Sequence, residues 1–380
     1  MRYCTKCCFP DTKPELTMNK DGICIACENA IMKTGIDWNS KRYELKLILN
    51  EFKGNKSKYD CIIPVSGGKD SHFQTHIIKN EFHLNPLLVV FRPRDLTDLG
   101  RKNIENIKNF GADCIEFSAN PLIYKKLAKF GLSELGDPAW PEHLGIFTFP
   151  VQCAVNFKIP LIIWGENPQL EYGGPKTASS RYYLDRMWNE KHGGYFLDKI
   201  KPQEMISHGM TLDELAPYIY PSDEEIKNIN VTGIFLGNFI HWDARKQLDI
   251  VKKYGFKTLP DNETSEGTYT NYENLDTKYV SMHDYFKFLK FGYGRATDNA
   301  SIDIRNNRLT REEGIKLIKQ HEGKIPKNIQ EFLEDFDITY EEFLSICEKF
   351  TNKKLFKTDQ NGNLIRDKED NIQKIACDNA

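Results

Sequence analysis

Residues 59–71 read Y-D-C-I-I-P-V-S-G-G-K-D-S. An apolar run of this kind, broken by a serine and two glycines and followed by polar residues at helical spacing, predicts a buried strand, a tight turn and a helix. Parallel sheets place ligands at the carboxyl ends of their strands, which is where this turn falls. Gly67 and Gly68 can take positive φ and leave the backbone uncovered, so their N–H groups can approach an anion. The helix that follows turns its positive end to the same point. Ser66 and Ser71 add hydroxyl donors, and Lys69 adds a full charge. Asp70 would repel a phosphate unless a cation lay between them, so it is the candidate Mg²⁺ ligand. The pattern is not a Walker A loop: position 63 is Ile63 where that loop needs glycine, and Asp70 follows Lys69.

Outward from the loop, short apolar runs alternate with helical patterns from 59 to about 260. Residues 87–91, 114–117 and 161–164 read as strands, with 233–240 as a further one. Helices are expected over 70–80, 98–110, 121–130, 142–157 and 243–254. This alternation predicts an α/β fold with a parallel sheet, Rossmann-like, covered on both faces. Residues 36–58 form a helical linker whose apolar stripe is read as Tyr43, Leu47 and Phe52. The region 261–357 reads as mostly helical, with capping boxes at Thr310/Glu313 and Thr339/Glu342. The tail, 358–380, is polar and expected to be loosely packed. No internal repeat is read.

Residues 1–35 form a small cysteine-rich region. Cys4-X-X-Cys7 and Cys24-X-X-Cys27 have the spacing of a tetrahedral Zn²⁺ site, with Cys8 as a register ambiguity and an iron–sulfur cluster as the competing occupant. All four positions are filled by protein, so the role is structural. Cys61, Cys114, Cys153, Cys347 and Cys377 are scattered and read as core or surface thiols.

The bulk numbers narrow the class. With 380 residues, 40% hydrophobic and a net charge of −2, the chain is globular and has no global pull toward nucleic acid. No apolar run approaches the roughly 18 residues of a membrane span, and the expectation is a cytoplasmic protein without membrane insertion.

The S-G-G-K-D-S segment resembles the signature of the PP-loop ATP pyrophosphatases (adenine nucleotide alpha hydrolase-like). Further motifs follow in order: W-G-E-N-P (164–168), E-Y-G-G (171–174), H-W-D (241–243), E-G-T-Y-T-N (266–271), K-F-G-Y-G-R-A-T-D (290–298) and R-L-T-R-E-E (308–313). With the cysteine pairs, they resemble along almost the whole chain the N-acetyl sugar amidotransferases of bacterial surface-glycan pathways. These include the pseudaminic and legionaminic acids of flagellin and the acetamidino sugars of lipopolysaccharide O-antigen. The resemblance implies that ATP adenylates the oxygen of a sugar acetamido group and that ammonia then displaces AMP, leaving an acetamidino group. It assigns Ser66, Gly67, Gly68, Lys69, Asp70 and Ser71 to pyrophosphate, with Gly165 beside them and Lys69, Asp70 and Glu166 as catalytic candidates.

Fold analogy places Val90, Phe91 and Arg92 against adenine and ribose. Asn167, Glu171, Tyr293 and Arg295 are the candidate substrate contacts, the arginine because it can grip a carboxylate or phosphate bidentately. Ammonia is expected from a separate glutaminase subunit: Arg2 follows Met1 where an N-terminal nucleophile needs cysteine, and no G-X-C-X-G elbow occurs. Two other readings compete. A tRNA-modifying enzyme of the same superfamily is opposed by the near-neutral charge. A non-catalytic nucleotide-binding zinc scaffold would not turn ATP over.

Overall fold

The computed structural model describes residues 1–54, 57–192 and 200–375; Cys377 lies outside them. Six strands form one sheet: β1 Cys61–Pro64, β2 Pro86–Arg92, β3 Asp113–Ser118, β4 Leu161–Trp164, β5 Tyr183–Leu184 and β6 Thr232–Phe235. Their order is β3-β2-β1-β4-β6-β5. All neighbours run parallel except β5, which pairs antiparallel with β6 at the edge. The strand order reverses between β1 and β4, so the loops that follow these two strands diverge and leave a crevice.

β1, β2, β4 and β6 are mostly apolar because both faces are covered, whereas β3 at the edge reads D-C-I-E-F-S and is partly exposed. Their alternation divides the core in two. Ile62, Leu87, Val89, Phe91, Ile162 and Phe235 face one cluster with the helices Pro121–Phe130 and Trp140–Phe157. Cys61, Ile63, Leu88, Val90, Ile163 and Ile234 face the other, with Phe73, Ile104, Ile107 and Val251. The helices Val280–Phe291, Ile329–Phe336 and Tyr340–Phe350 bury Phe286, Phe332 and Phe343 in the first cluster. The carboxyl-terminal helices thus share a core with the sheet.

Three expectations are corrected. In the helix Trp38–Phe52 the buried residues are Leu45 and Leu49, while Tyr43 and Leu47 are exposed. Leu45, Leu49 and Phe52 repeat at i, i+4, i+7 and make the better stripe against the sheet. The strand expected over 233–240 ends at Phe235, where the helical turn Leu236–Asn238 begins; Gly237 N–H donates to Gly165 O at 3.0 Å, tying the two strand ends together.

The described part of the tail, to residue 375, is not frayed. Phe356 bridges Lys374, Thr358 bridges Leu364 and Arg366 bridges Ile372. Two similar turns make this possible: Asp359 Oδ1 accepts from Asn361 N and Asn363 N, and Asp367 Oδ1 from Glu369 N and Asn371 N. Both capping boxes form as expected. The helix after the loop starts at Lys69 and widens into a π turn over His76–Glu81.

Among the described residues no helix is long and apolar enough to cross a membrane.

Candidate active site

The loop leaves β1 through Val65 and Ser66 and enters the helix Lys69–Thr75 at Gly68. Gly67 sits at φ +86°, and a Cβ there would lie 2.8 Å from the Ile104 side chain and 2.9 Å from its backbone nitrogen. Glycine is therefore required twice, by conformation and by space. Ser71 Oγ accepts from Ser66 N–H at 2.9 Å, and Ser66 Oγ accepts from Gly68 N–H at 3.3 Å. The turn is thus closed by the side chains that flank it.

Lys69 is buried, with Nζ 2.7 Å from Asp70 Oδ2 and 3.2 Å from Glu273 Oε1. Burial alone would lower its pKa, but the two carboxylates hold it above the ordinary lysine value. Asp70 Oδ1 is buried and makes no hydrogen bond. An acceptor left bare in a buried place fits a cation ligand.

Beside the loop lies a cavity of about 280 Å³, bounded by Ser66, Asp70, Gln74, Phe91, Gly165 and Glu166, and deeper by Glu142, Trp188 and Asp276. At Gly165 the Gln74 amide packs close, and a Cβ would lie 2.1 Å from Gln74 Nε2 and force that side chain to move. Glu166 is pushed up to about 8 by burial and by the charge of Asp70, partly offset by Lys69. Burial and the charge of Asp276 push Glu142 up to about 8 as well. Asp70 beside Glu166 meets a polyphosphate favourably only with a cation between them, which would also favour the ionised form of Glu166, so these two are the residues that fit Mg²⁺.

The expected site residues separate into two groups. Ser66, Asp70, Ser71, Phe91, Gly165 and Glu166 line the cavity together. Val90 does not: strand alternation turns it into the opposite core, and Val89 and Pro93 line the cavity instead, with Arg92 outside the lining. Asn167 is fully buried and is a structural clamp. Its Oδ1 accepts from Gln169 N and Leu170 N as the helix cap, and its Nδ2 donates to Ala178 O and Arg181 O.

Glu171 pairs with Lys33 at 2.5 Å, joining this loop to the cysteine-rich region. Tyr293 is buried against Phe9 with ring centroids 6.2 Å apart. Arg295 pairs with Asp284 at 3.4 Å and lines two neighbouring cavities, not this one. Glu142, Asp276 and Gln74 were not read from the sequence, and Glu273 only as the end of the polar segment E-G-T-Y-T-N-Y-E (266–273), without a role of its own.

The four cysteines converge as expected. Cys4 and Cys27 Sγ lie 3.8 Å apart and Cys7 and Cys24 Sγ 3.6 Å apart, all buried. Four thiolates around one Zn²⁺ at about 2.3 Å are roughly 3.8 Å apart, so the group fits a single zinc. A cluster, with its ligands on separate irons, needs the sulfurs spread wider. Cys8 is outside the group, and its backbone N–H donates to Ser301 Oγ. Arg305 reaches from the carboxyl-terminal region, with Nη1 4.0 Å from Cys7 Sγ and Nη2 donating to Glu171 O.

Sheet, crevice and glycine turn define the class: a mostly parallel α/β protein with an open glycine turn after β1, an attached four-cysteine knuckle and a helical carboxyl-terminal part. A match to a known family comes from the carboxyl-terminal side. Residues 266–369 match the family described as LPS biosynthesis protein WbpG-like, C-terminal domain. Three of the motifs quoted above, E-G-T-Y-T-N, K-F-G-Y-G-R-A-T-D and R-L-T-R-E-E, fall inside this span, and the family resemblance is borne out there.

The chain is 33% identical over 104 residues to the uncharacterized protein MJ1599 of Methanocaldococcus jannaschii, across 27% of this chain and 36% of that protein. It therefore spans about a third of the length of that relative. Among solved structures, the NMN synthetase of Francisella tularensis aligns at 13% identity and TM-score 0.28, over 51% of this chain and 93% of that one. The NH3-dependent NAD synthetase of Campylobacter jejuni aligns at 13% and 0.30, over 61% and 100%. The U34-tRNA thiolase NcsA of Methanococcus maripaludis aligns at 12% and 0.27, over 86% and 90%. Likeness at this level carries no argument about chemistry.

Proposed function

We propose that the chain is an ATP-dependent amidotransferase that converts the acetamido group of a sugar into an acetamidino group during bacterial surface-glycan synthesis. The observation that carries this reading is the bare, buried Asp70 Oδ1 set beside Glu166 and a glycine turn at the mouths of β1 and β4. The WbpG-like carboxyl-terminal span supports a glycan substrate, with lipopolysaccharide as the favoured destination.

In the proposed reaction the amide oxygen attacks the α-phosphorus of ATP and pyrophosphate leaves. Ammonia then adds to the activated carbon, and AMP departs with the former amide oxygen. The chemical point is the leaving group, since adenylate departs readily and an amide oxygen does not. The turn N–H groups and Lys69 hold the β- and γ-phosphates, and Ser66 and Ser71 fix the turn that presents them. Mg²⁺, when bound, neutralises charge on the departing pyrophosphate. Asp70 and Glu166 orient it.

Ammonia in this scheme comes from a separate glutaminase. Among the described cysteines outside the four-cysteine group, none has the lowered pKa of a nucleophile. Burial pushes Cys8 and Cys153 up to about 12 and Cys114 up to about 11. It raises Cys61 and Cys347 further.

The test is direct. The protein is incubated with ATP, Mg²⁺, ammonium and a panel of free and nucleotide-linked acetamido sugars. A sugar that loses about one mass unit as oxygen is replaced by NH, with AMP formed in equal amount, is the expected result. ATP-to-AMP turnover that no acetamido sugar stimulates would count against it.

A further inference from the structure

Behind the nucleotide cavity lies a second, smaller one of about 90 Å³, and Glu142 lines both. Its wall carries His143 and His283, and Asp137 lies against both; the proposed reaction has no use for these three side chains. Asp137 is held just ahead of the helix Trp140–Phe157, where its Oδ1 accepts from Ala139 N–H at 2.9 Å. His143 lies in the first turns of that helix. His283 comes from a different element, Val280–Phe291, packed across from it.

The donor atoms of the three lie within 4.8 Å of one another. His283 Nδ1 is 2.8 Å from Asp137 Oδ1, and His143 Nδ1 is 3.8 Å from Asp137 Oδ2. The first is a hydrogen bond and the second is too long for one. Nitrogen and oxygen ligands at about 2.0–2.2 Å on one tetrahedral ion are roughly 3.3 Å apart. The two observed distances, one to each oxygen of Asp137, straddle that value, so the two rings flank the carboxylate at near-ligand spacing. The rings stand edge to face, with centroids 4.8 Å apart, rather than stacked flat against each other.

We infer that Asp137, His143 and His283 form a divalent-metal site of the zinc class, distinct from the four-cysteine group, with its open coordination positions facing the small cavity. Two imidazoles and one carboxylate are nitrogen and oxygen donors of the kind that hold zinc with a vacant position for water or substrate. The cavity volume exceeds what a water ligand needs, about 10–15 Å³. The local charge is consistent with a cation: Asp137 is buried beside the two rings, and Arg295, which lines the same cavity, is already paired with Asp284. An oxygen or nitrogen of a ligand could reach the ion from this cavity, which the Glu142 side chain separates from the nucleotide cavity. The inference stands without the proposed reaction, since it concerns metal binding alone.

Zinc stoichiometry tests it. The full-length protein is dialysed against excess Zn²⁺, freed of loose metal and analysed for zinc per chain. Wild type is expected to hold two equivalents, one in the cysteines and one here. The double variant His143→Ala/His283→Ala is expected to hold one, with its circular dichroism unchanged. Should that variant fail to fold, His143→Asn, at a partly exposed position, gives the second measurement: titration of added Zn²⁺ should show affinity for the second equivalent weakened by at least about 100-fold. A single equivalent in saturated wild type, or a second equivalent that binds His143→Asn as tightly as wild type, overturns the inference.

Discussion

The four-cysteine knuckle and the Ser66–Ser71 loop both gather metal-binding groups on short turns, yet they are built to opposite ends. In the knuckle every donor is committed. Four sulfurs face one another at 3.6–3.8 Å across the two closest pairs, Cys24 N–H donates to Cys4 Sγ at 3.2 Å, and Arg305 approaches from outside. In the loop the turn is closed by its serines, but Asp70 Oδ1 is left bare and Glu166 is kept at a raised pKa beside it. A closed set of donors stabilises a fold, and an open one binds something that comes and goes. The two are also joined. Lys33 from the knuckle region pairs with Glu171, and Asn29 Nδ2 donates to Leu170 O, so the knuckle braces the loop that carries Glu166.

If the contrast is right, damage on the two sides should differ in kind. Cys24→Ala, or removal of zinc by a strong chelator, should cost the most stability, because metal binding supplies much of the folding energy of so small a region. A marked drop in the thermal midpoint with loss of ATP turnover is expected. An unchanged midpoint would show that the knuckle is not the brace described.

Asp70→Ala should do the reverse: turnover of ATP to AMP falls on the order of a thousandfold while the thermal midpoint barely moves. Gly67→Ala lies between the two, since positive φ and the contact with Ile104 should cost about 1–3 kcal/mol in denaturant unfolding and also spoil phosphate binding. In the helix that follows the knuckle, Leu45→Ala should cost about 2–5 kcal/mol and Leu47→Ala less than about 0.5 kcal/mol. Equal effects would restore the stripe first read from the sequence.

A further effect concerns pH. Glu166 ionises near pH 4.5 when unfolded and near 8 when folded without cations. The native state therefore binds more protons across that window, and its stability falls as pH rises from about 4.5 to about 8. Glu166→Gln should flatten this part of the curve, as measured by urea unfolding at several pH values without Mg²⁺. A slope identical to wild type would remove Glu166 from the open site.

Local sequence carried the parts whose geometry is local. Cys-X-X-Cys pairs, a strand with two glycines after it and capping boxes each fix their neighbours within a few residues. The sheet followed because apolar runs alternating with helical patterns leave few other packings. The substrate residues were harder. Asn167, Glu171 and Tyr293 are polar residues next to glycines or strand ends, which looks like a site in sequence, yet their polar or aromatic groups are spent on capping, an ion pair and ring packing. Glu142 and Asp276 sit in ordinary helical and loop contexts, and only their arrival at the same cavity gives them meaning.

The sequence by itself determined a glycine turn at Ser66–Ser71 suited to an anion on a mostly parallel sheet, and a four-cysteine group, Cys4, Cys7, Cys24 and Cys27, with the spacing of a metal site. Turn conformation and ligand spacing are set within about twenty residues of chain, and hydrophobic period sets the sheet. The tertiary structure alone decided which distant carboxyl groups surround the cavity beside the loop, that Glu273 joins Asp70 on Lys69, and that Asp137 and His143 find His283. Those meetings depend on how the carboxyl-terminal helices settle onto the sheet, and burial of their apolar faces fixes that position without regard to where the polar residues lie in sequence.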